Sequence, residues 1–411
     1  MRVSFGAEPH TGKPKILFIG YAESTHTHSW IDLLEDSELN VRLFGLPSGV
    51  PPNSWKVRTY VTGVTAERLD PTAHIRLYPR ARFLQLAKKG SSVLFFKGVR
   101  EREEKWLAKI IRKWRPDIIH TLGLEPASYL FQKVRERFKL HGIGKWVVQV
   151  RGGPDLALHR LLPEYSDKIR NVFEDCDQMI ADNEQNYEYA LEMGLAEEKQ
   201  SALQVVPGTG GVDVAGLSNS ISAPSSRKRI ILWPKAYECP QGKALPVFEA
   251  IKQAWGRIQP CEIRLLAMIP ETRMWFQTLP EEIRRCCRIS ERVPRDEVLQ
   301  LLKQARVVLA PSLADGVPNI LYEAMATGAF PIVSPLETIR AKVADVNNVL
   351  FARNLFPDEI ADALLRAMSD DTMIDNAARR NLQLVKRIAD RSKIRGRVIS
   401  YYQDLANSLD V

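Results

Sequence analysis

The sequence has few cysteines and no long apolar run. Its 411 residues include five cysteines, none in a C-x-x-C spacing. An odd, scattered set of thiols is typical of a reducing cytosol rather than of a disulfide framework or a zinc site. No stretch approaches the roughly 18 apolar residues of a membrane span, and the N-terminal MRVSFGAEPHTGKPK lacks the apolar core of a secretion signal. We therefore expect a cytoplasmic protein.

Motifs of several functional classes are also missing. No G-x-G-x-x-G connects the first predicted strand to its helix, which argues against a nicotinamide oxidoreductase although GTGG occurs at 208–211. No D-x-D lies between predicted strands and no His/Cys cluster occurs, so no motif indicates a bound metal or cofactor. The net charge of +9 has no nucleic-acid recognition motif beside it, so we expect no nucleic-acid partner.

What the sequence does have is material for two α/β domains. Apolar residues make up 45% and charged residues 26%, as in globular proteins. Short apolar runs alternate with helix-like segments, which predicts parallel, doubly wound sheets. The predicted strands are KILFIG (15–20), DIIH (117–120), KWVVQV (145–150), DQMIAD (177–182), RIILW (229–233), CEIRLLA (261–267), RVVLA (306–310) and FPIVS (330–334).

A linker divides this series in two. The stretch AGLSNSISAPSSRKR after residue 214 is rich in Ser, Gly and Pro and has few large apolar residues. The strand–helix alternation restarts beyond it. We therefore predict domains at 1–214 and 215–390, with a helix at 391–411 that packs back on the first domain.

One segment combines positive charge with large apolar side chains. Residues 76–100 carry lysines and arginines, no acid, and the cluster Leu94, Phe95 and Phe96. This mixture suits an anionic membrane surface. The alternative is a buried strand that the cations merely flank. The overall positive charge likewise fits either solubility alone or attraction to a polyanion.

The stretch PSLADGVPNILYEAMATGAFPIVS, residues 311–334, places two acids eight residues apart. It follows a predicted strand, and ligands of open parallel sheets bind beyond the carboxyl ends of strands. Pro318 suits the first position of a helix and Gly328 suits its end. The free N–H groups of a helix N-terminus favour a phosphate. Asp315 and Glu323 can each accept hydrogen bonds from hydroxyls, so the pattern describes a site for a polyhydroxylated anion such as a sugar nucleotide.

These residues resemble the donor-binding signature of the family 4 retaining glycosyltransferases, glycosyl transferases group 1, of the GT-B fold. The usual pattern is S-x-x-E-G-x-P-x-x-x-x-E-A-M-A-x-G, followed by a proline. The first acid departs from it, because Asp315 stands where the family usually has Glu. The residues that agree are Ser312, Gly316, Pro318, Glu323, Ala324, Met325, Gly328 and Pro331.

Weaker similarities extend over most of the chain. They include RPDIIHTLG, QVVPGTGGVDV and VPRDEVLQLLKQARVVLAPS. The resemblance implies two facing Rossmann-like domains with a cleft between them, retention of anomeric configuration and no essential metal. It implies a nucleotide-sugar donor, UDP- or GDP-linked, bound by the acidic stretch and the segment before it. The donor-binding candidates are Val293, Gly316, Val317, Pro318, Asn319 and Glu323.

Cations for the diphosphate are predicted after the first strand of the second domain. Relatives have an Arg followed by Lys-Gly, whereas this chain has Lys235 after the strand and Lys243 before the helix. Lysine neutralises a phosphate as a point charge, without the bidentate grip of arginine. The catalytic candidates are thus Lys235, Lys243 and Asp315, with His120 at a strand end of the first domain. Two surface lysines and a buried histidine are the alternative readings.

The first domain is expected to hold the acceptor. Gly20 allows close approach of the backbone, and His26 or His28 follows it. Relatives place a histidine where this chain has Leu122, and Glu125 is the nearby substitute. The loop QVRGGPDLALHR resembles the family's Gly-x-Asp loop, which makes Arg151 and Asp155 further candidates.

The sequence therefore predicts a glycosyltransferase that moves a sugar from a nucleotide diphosphate to an acceptor hydroxyl. The acceptor is expected to be a glycan or a lipid-linked molecule. The reaction would then belong to polysaccharide or glycolipid synthesis at the inner face of the membrane. The alternative is a sugar-nucleotide-binding protein of the same fold that has weakened catalysis.

Overall fold

The computed structural model describes residues 5–62, 74–78, 92–152, 154–219 and 221–408. The chain divides into two compact units. Met1–Arg151, Asp155–Gly210 and Lys393–Val411 form the first, and Gly152–Pro154 with Gly211–Ser392 forms the second. Within the described ranges, no helix is both long and apolar enough to cross a membrane.

The first unit contains an eight-stranded parallel sheet in the order β4-β3-β2-β1-β5-β6-β7-β8. The predicted strands 15–20 and 145–150 have the expected bounds. The strands are β1 (Lys15–Gly20), β2 (Asn40–Gly45), β3 (Arg58–Thr62), β4 (Ile75–Tyr78), β5 (Ile118–Leu122), β6 (Lys145–Val150), β7 (Gln178–Ala181) and β8 (Gln200–Val205).

The second unit contains a six-stranded parallel sheet in the order β11-β10-β9-β12-β13-β14. The last strand is only a two-residue pairing. The strands are β9 (Ile230–Trp233), β10 (Glu262–Leu265), β11 (Cys287–Ile289), β12 (Val307–Ala310), β13 (Phe330–Val333) and β14 (Leu350–Phe351).

Helices alternate with these strands, and we number them in chain order among the described residues. They are α1 (Thr25–Ile31), α2 (Ser92–Trp114), α3 (Tyr129–Arg137), α4 (Pro163–Asp175), α5 (Glu184–Glu192), α6 (Val214–Ser218), α7 (Leu245–Ile258), α8 (Pro270–Gln277), α9 (Glu281–Arg285), α10 (Arg295–Gln304), α11 (Asn319–Thr327), α12 (Glu337–Arg340), α13 (Pro357–Ser369), α14 (Asp371–Ile388) and α15 (Arg391–Asn407).

Each sheet separates two hydrophobic cores. In β1, Leu17 lies in one core and Ile16 in the other. In β9, Ile231 and Leu232 divide between two cores in the same way. Alternate residues of a strand point to opposite faces, so both faces of each sheet are covered by helices. The prediction of an α/β fold with doubly wound parallel sheets is confirmed.

The last helix, α15, contributes to a core of the first unit. Tyr402 is fully buried in the cluster that contains Ile16, Phe18 and Trp30. Its hydroxyl accepts a hydrogen bond from Nε1 of Trp30 at 3.0 Å. A C-terminal segment thus completes a core made by the N-terminal strands.

Part of the predicted membrane-binding segment 76–100 lies outside the described residues, including Lys88 and Lys89. The backbone of its last nine residues is the start of α2, which begins at Ser92. The alternative of a buried strand at Leu94, Phe95 and Phe96 is therefore wrong, because this part of the backbone is helical.

Candidate functional site

The loop that follows β12 is fixed by hydroxyl groups from neighbouring segments. The Thr338 side chain donates to the carbonyl oxygens of Asp315 and Gly316 at 3.1 and 3.2 Å. The backbone N–H of Ser312 donates to the Ser334 hydroxyl at 2.9 Å. The loop therefore has a defined conformation, which holds the Asp315 side chain in place.

Asp315 is paired with Lys235. The Lys235 Nζ lies 3.3 Å from an Asp315 carboxylate oxygen, although the two residues are far apart in the chain. Burial disfavours the charged amine, but the charge and hydrogen bond of Asp315, together with Tyr237 and Cys239, outweigh burial, so the pKa of Lys235 is raised. Lys235 thus remains a cation.

Glu323 is held by a cation that the sequence did not single out. Its carboxylate accepts a hydrogen bond from Arg295 Nη2 at 2.8 Å. Burial raises the pKa of Glu323, while the charges of Arg295 and, more weakly, Lys235 lower it. The residue is 7% exposed, so its carboxylate is almost enclosed by the protein.

Helix α11 starts at Asn319, one residue later than predicted, and Pro318 precedes it in an extended conformation. Gly328 ends the helix with φ 75°, in the left-handed region that favours glycine. Val293 and Val317 are half-buried and pack against the core that α11 helps to form. These donor-binding candidates therefore lie on, or pack with, the same loop and helix as the two acids.

The loop that carries Lys243 runs beside the acidic loop. The N–H of Leu313 donates to the Gln241 carbonyl at 2.7 Å. Lys243 Nζ is 2.9 Å from Glu238, so its charge is already matched by an acid of the same loop. Asn354, which is buried, links the two loops through its amide, which donates to the carbonyls of Lys243 and Pro311 at 3.1 and 3.2 Å.

In the first unit, His120 is a core residue. It is fully buried, and its Nδ1 lies 2.6 Å from the Tyr402 hydroxyl. Burial keeps the pKa of His120 well below its usual value. The imidazole is therefore neutral and enclosed by aromatic rings, with Phe18 at 5.3 Å and Trp30 at 6.0 Å between ring centres.

Asp155 uses its carboxylate to hold two loops together. The oxygens accept hydrogen bonds from the backbone N–H groups of Leu124 at 3.0 Å and Arg151 at 3.3 Å. Burial raises the pKa of Asp155 to about 6, against the opposing effect of these bonds. Burial also lowers the pKa of Arg151 to about 10, and Asp155 and Asp182 oppose that shift.

Glu125 stands beside Asp155 but is exposed. His159 Nε2 lies 3.4 Å from one of its carboxylate oxygens, and the Tyr165 hydroxyl donates to the other at 3.3 Å. Its side chain is 42% exposed. Glu125 therefore presents a positioned carboxylate at the carboxyl end of β5.

The remaining candidates lie near the end of β1. A Cβ on Gly20 would lie 3.2 Å from the Cβ of Leu122, so packing within the sheet accounts for this glycine. His26 is exposed. His28 is buried, with its Nε2 2.6 Å from the Ala22 carbonyl oxygen.

Several residues that shape the second unit's site were not predicted from the sequence. Arg295 was visible only as part of the quoted segment VPRDEVLQ, and nothing in its spacing connects it with Glu323. Ser334 ends the quoted stretch 311–334 but was given no role there, and Thr338 and Asn354 lie in unremarkable sequence. Their roles come from long-range hydrogen bonds, for which the chain gives no local signal.

Part of the second unit matches a known family model. Residues 238–370 match the family model described as glycosyl transferases group 1. This segment contains the acidic loop, helix α11 and Lys243. A search of curated proteins finds no match to the chain.

Solved structures share the fold over almost the whole length. HepE from Anabaena, in complex with UDP-glucose, aligns with a TM-score of 0.65 and 14% identity over 96% of this chain and 99% of that chain. Sucrose-phosphate synthase from Thermosynechococcus elongatus aligns with a TM-score of 0.68 and 14% identity over 96% and 100%. The lipopolysaccharide outer core galactosyltransferase WaaB aligns with a TM-score of 0.58 and 13% identity over 96% and 98%. The chain thus has the GT-B fold, and its residues 238–370 match the glycosyl transferases group 1 model.

Proposed function

We propose that this protein is a glycosyltransferase that moves a sugar from a nucleoside diphosphate to an acceptor hydroxyl, with retention of configuration and without a metal ion. In this reaction the bond from the anomeric carbon to the phosphate oxygen breaks and a bond to the acceptor oxygen forms. The leaving phosphate oxygen takes the proton of the acceptor hydroxyl.

The observation that carries the proposal is the pair of charged contacts in the second unit, Asp315 with Lys235 and Glu323 with Arg295. Both acids lie on the segment between β12 and the middle of α11, beyond the carboxyl end of a parallel strand. This is where ligands bind in such sheets. Asp315 is suited to the sugar hydroxyls and Glu323 to the ribose hydroxyls.

Lys235 supplies positive charge in place of a metal ion. Its raised pKa keeps it protonated, and a fixed cation stabilises negative charge as it develops on the leaving phosphate. Lys243, on the adjoining loop, is the second cation. The amine of Lys243 must leave Glu238 if it is to contact the phosphate.

The solved structures favour a UDP-linked donor. HepE, which shares the fold, is known in complex with UDP and with UDP-glucose. Asp315 in place of the usual Glu shortens the reach to the sugar by one methylene. UDP is therefore the first nucleotide to test, with GDP as the second.

A membrane-borne acceptor in glycan or glycolipid synthesis is supported by the charge of α2. Four cations surround a cavity of about 380 Å³ whose lining includes Phe138. Among the described residues none of the four has an ion-pair partner, and all are exposed. They are Lys105, Lys109, Arg112 and Lys113. An anionic membrane attracts such a surface, and each engaged cation contributes about 1 kcal/mol.

The function is tested with a panel of UDP-, GDP-, ADP- and dTDP-sugars. A donor that binds the native state raises the melting temperature. Release of the free nucleotide from the stabilising donor then shows catalysis, and the anomeric configuration of the product shows retention or inversion. Stabilisation without nucleotide release, with every acceptor tried, would instead favour a sugar-nucleotide-binding protein.

A further inference from the structure

We propose that the first unit binds its acceptor through Glu125, whose carboxylate accepts a hydrogen bond from a hydroxyl of an uncharged sugar ring. His159 and Tyr165 are its positioning residues. This inference rests on the proposed glycosyltransferase function and names the acceptor chemistry of that reaction.

The location of Glu125 agrees with a binding role. Strands β1, β5 and β6 are neighbours in the sheet, and the segments that follow them carry Tyr21, Glu125 and Asp155. The carboxyl ends of parallel strands are the usual position for ligands. Glu125 follows the central one of these three strands.

Glu125 is held by contacts from a different segment of the chain. The His159 and Tyr165 rings stack in nearly parallel planes, with centres 4.3 Å apart and 4° between planes. Each ring places a polar atom within 3.4 Å of a different Glu125 oxygen. Lys168 Nζ lies 4.8 Å from the centre of the Tyr165 ring. A carboxylate that is exposed would ordinarily be mobile, and this one is restrained from two sides.

Two charged groups near Glu125 are already engaged. Asp155 accepts backbone N–H groups from two loops. Arg151 is buried, and the charges of Asp155 and Asp182 act on it. Of these three charged side chains, that of Glu125 is thus the one that is substantially exposed.

The local charge favours an uncharged ligand. Tyr21 is 40% exposed, and the pKa of its hydroxyl is raised by burial and then by the negative charges of Glu125, Glu23 and Asp155. A phosphate or carboxylate on the acceptor would be repelled by these acids. Hydroxyl groups are attracted to them as hydrogen-bond donors.

Exposed apolar side chains flank His159 in the chain. Leu158 and Leu161, on either side of His159 and Arg160, are 43% and 63% exposed. A pyranose ring offers both hydroxyls and an apolar C–H face.

The probes are methyl pyranosides of glucose, galactose, mannose and N-acetylglucosamine, together with the 6-phosphates of the same sugars. Binding to the full chain is measured by saturation-transfer NMR, with and without UDP. We expect at least one neutral pyranoside to bind more tightly than its 6-phosphate. Glu125→Gln should weaken the binding of that pyranoside roughly tenfold or more, since the variant lacks the charged hydrogen-bond acceptor. Tyr165→Phe, which keeps the ring stack, should also weaken the binding of the pyranoside, by a smaller factor.

The control variant is Glu164→Gln, an exposed acid beside Tyr165 in α4, which should bind pyranosides as the wild type does. The UDP affinity of all variants should be unchanged. The proposal is overturned if no neutral pyranoside binds, if the 6-phosphates bind better, or if Glu125→Gln binds as the wild type does. An unchanged affinity in Tyr165→Phe overturns the positioning role of Tyr165. Failure of the wild type to bind any nucleotide sugar is a different result, since it contradicts the donor site in the second unit.

Discussion

Arg295 Nη2 donates to the Glu323 carboxylate at 2.8 Å, and this contact joins the first residue of α10 to the middle of α11. Glu323 is almost fully buried, whereas the Arg295 side chain is 42% exposed. The arginine therefore offsets much of the cost of burying the carboxylate. It also keeps the carboxylate available as an acceptor of hydrogen bonds.

Removing this arginine should make nucleotide binding sensitive to pH. Burial raises the pKa of Glu323 and the positive charge of Arg295 opposes that rise, so Arg295→Ala should raise the pKa further. A protonated carboxyl has one O–H donor and is a weaker hydrogen-bond acceptor than a carboxylate. We expect the variant to lose UDP affinity as pH falls from about 8 to about 6, by at most about tenfold per pH unit for a single proton.

Calorimetric titrations with UDP at both pH values measure this effect. The wild type is the reference, because protonation of UDP itself affects both proteins equally. Arg295→Lys keeps a cation and should resemble the wild type. An equal pH dependence in Arg295→Ala and wild type would show that Arg295 does not control the ionisation of Glu323.

Lys235 should be required for turnover, and no divalent cation should replace it. Lys235→Met removes the cation 3.3 Å from Asp315. Loss of one preorganised electrostatic group lowers kcat by roughly 100- to 1000-fold. Release of UDP from the donor measures the effect, and Lys252→Met, which removes a surface lysine of α7 paired with Glu249, is the control.

The wild type should keep its activity in EDTA. If EDTA abolishes transfer and Mg²⁺ or Mn²⁺ restores it, charge stabilisation by Lys235 and Lys243 is the wrong account.

Tyr402→Phe should destabilise the first unit. The hydroxyl accepts a bond from Trp30 Nε1 and lies 2.6 Å from His120 Nδ1. Its loss leaves two buried polar groups without this hydrogen-bond partner, and each lowers the free energy of unfolding by about 1–3 kcal/mol. Urea unfolding measures the change, and Tyr189→Phe, which removes the hydroxyl of a half-buried tyrosine of α5, is the control. Equal stability of Tyr402→Phe and wild type would contradict the role of α15 in this core.

The cations of α2 should bind an anionic membrane. In a flotation assay with vesicles containing anionic lipid, we expect the wild type to float at low salt, where attraction is least screened. Replacing Lys105, Lys109 and Lys113 by Glu should abolish flotation. Replacing Lys88, Lys89 and Lys97 by Glu tests the preceding segment in the same way.

The control for this assay is the substitution of Lys228, Lys252 and Lys303 by Glu, which changes the net charge equally in the second unit. No flotation of the wild type at low salt would favour a soluble acceptor. Equal loss in the control would show that net charge alone is responsible.

The fold was predictable where apolar residues make up most of a strand. Residues 15–20 and 145–150 were assigned with the correct bounds for this reason. Strand β2 was missed because it contains Arg42, which is buried through a 2.6 Å contact with Glu8. Strand β3 was missed because threonine and arginine interrupt its apolar pattern, although all its residues are buried. A local pattern cannot show that a distant partner satisfies a buried charge.

The candidate site was predictable only along the chain. Asp315 and Glu323 could be found because their spacing places both on one loop and helix. Arg295 lies 28 residues from Glu323, and the contact exists only because α10 and α11 pack together. His120, a catalytic candidate from its place at a strand end, lies in a core that includes a residue 282 positions later. The sequence offers no local signal for such a contact.

The most direct test of the donor site is a calorimetric titration of UDP into wild type and Glu323→Gln, with the melting temperature of each measured in parallel. We expect the wild type to bind UDP and the variant to bind it more weakly by about 1.5–3 kcal/mol, since a charged acceptor of the ribose hydroxyls is lost. The loss of stability, read from the melting temperature, should be smaller than the loss of binding free energy. The reason is that Arg295 is partly exposed and water can replace the lost contact. Equal UDP affinity with equal melting temperature would contradict the assignment of Glu323, and with it the placement of the donor on the loop and helix at 311–327.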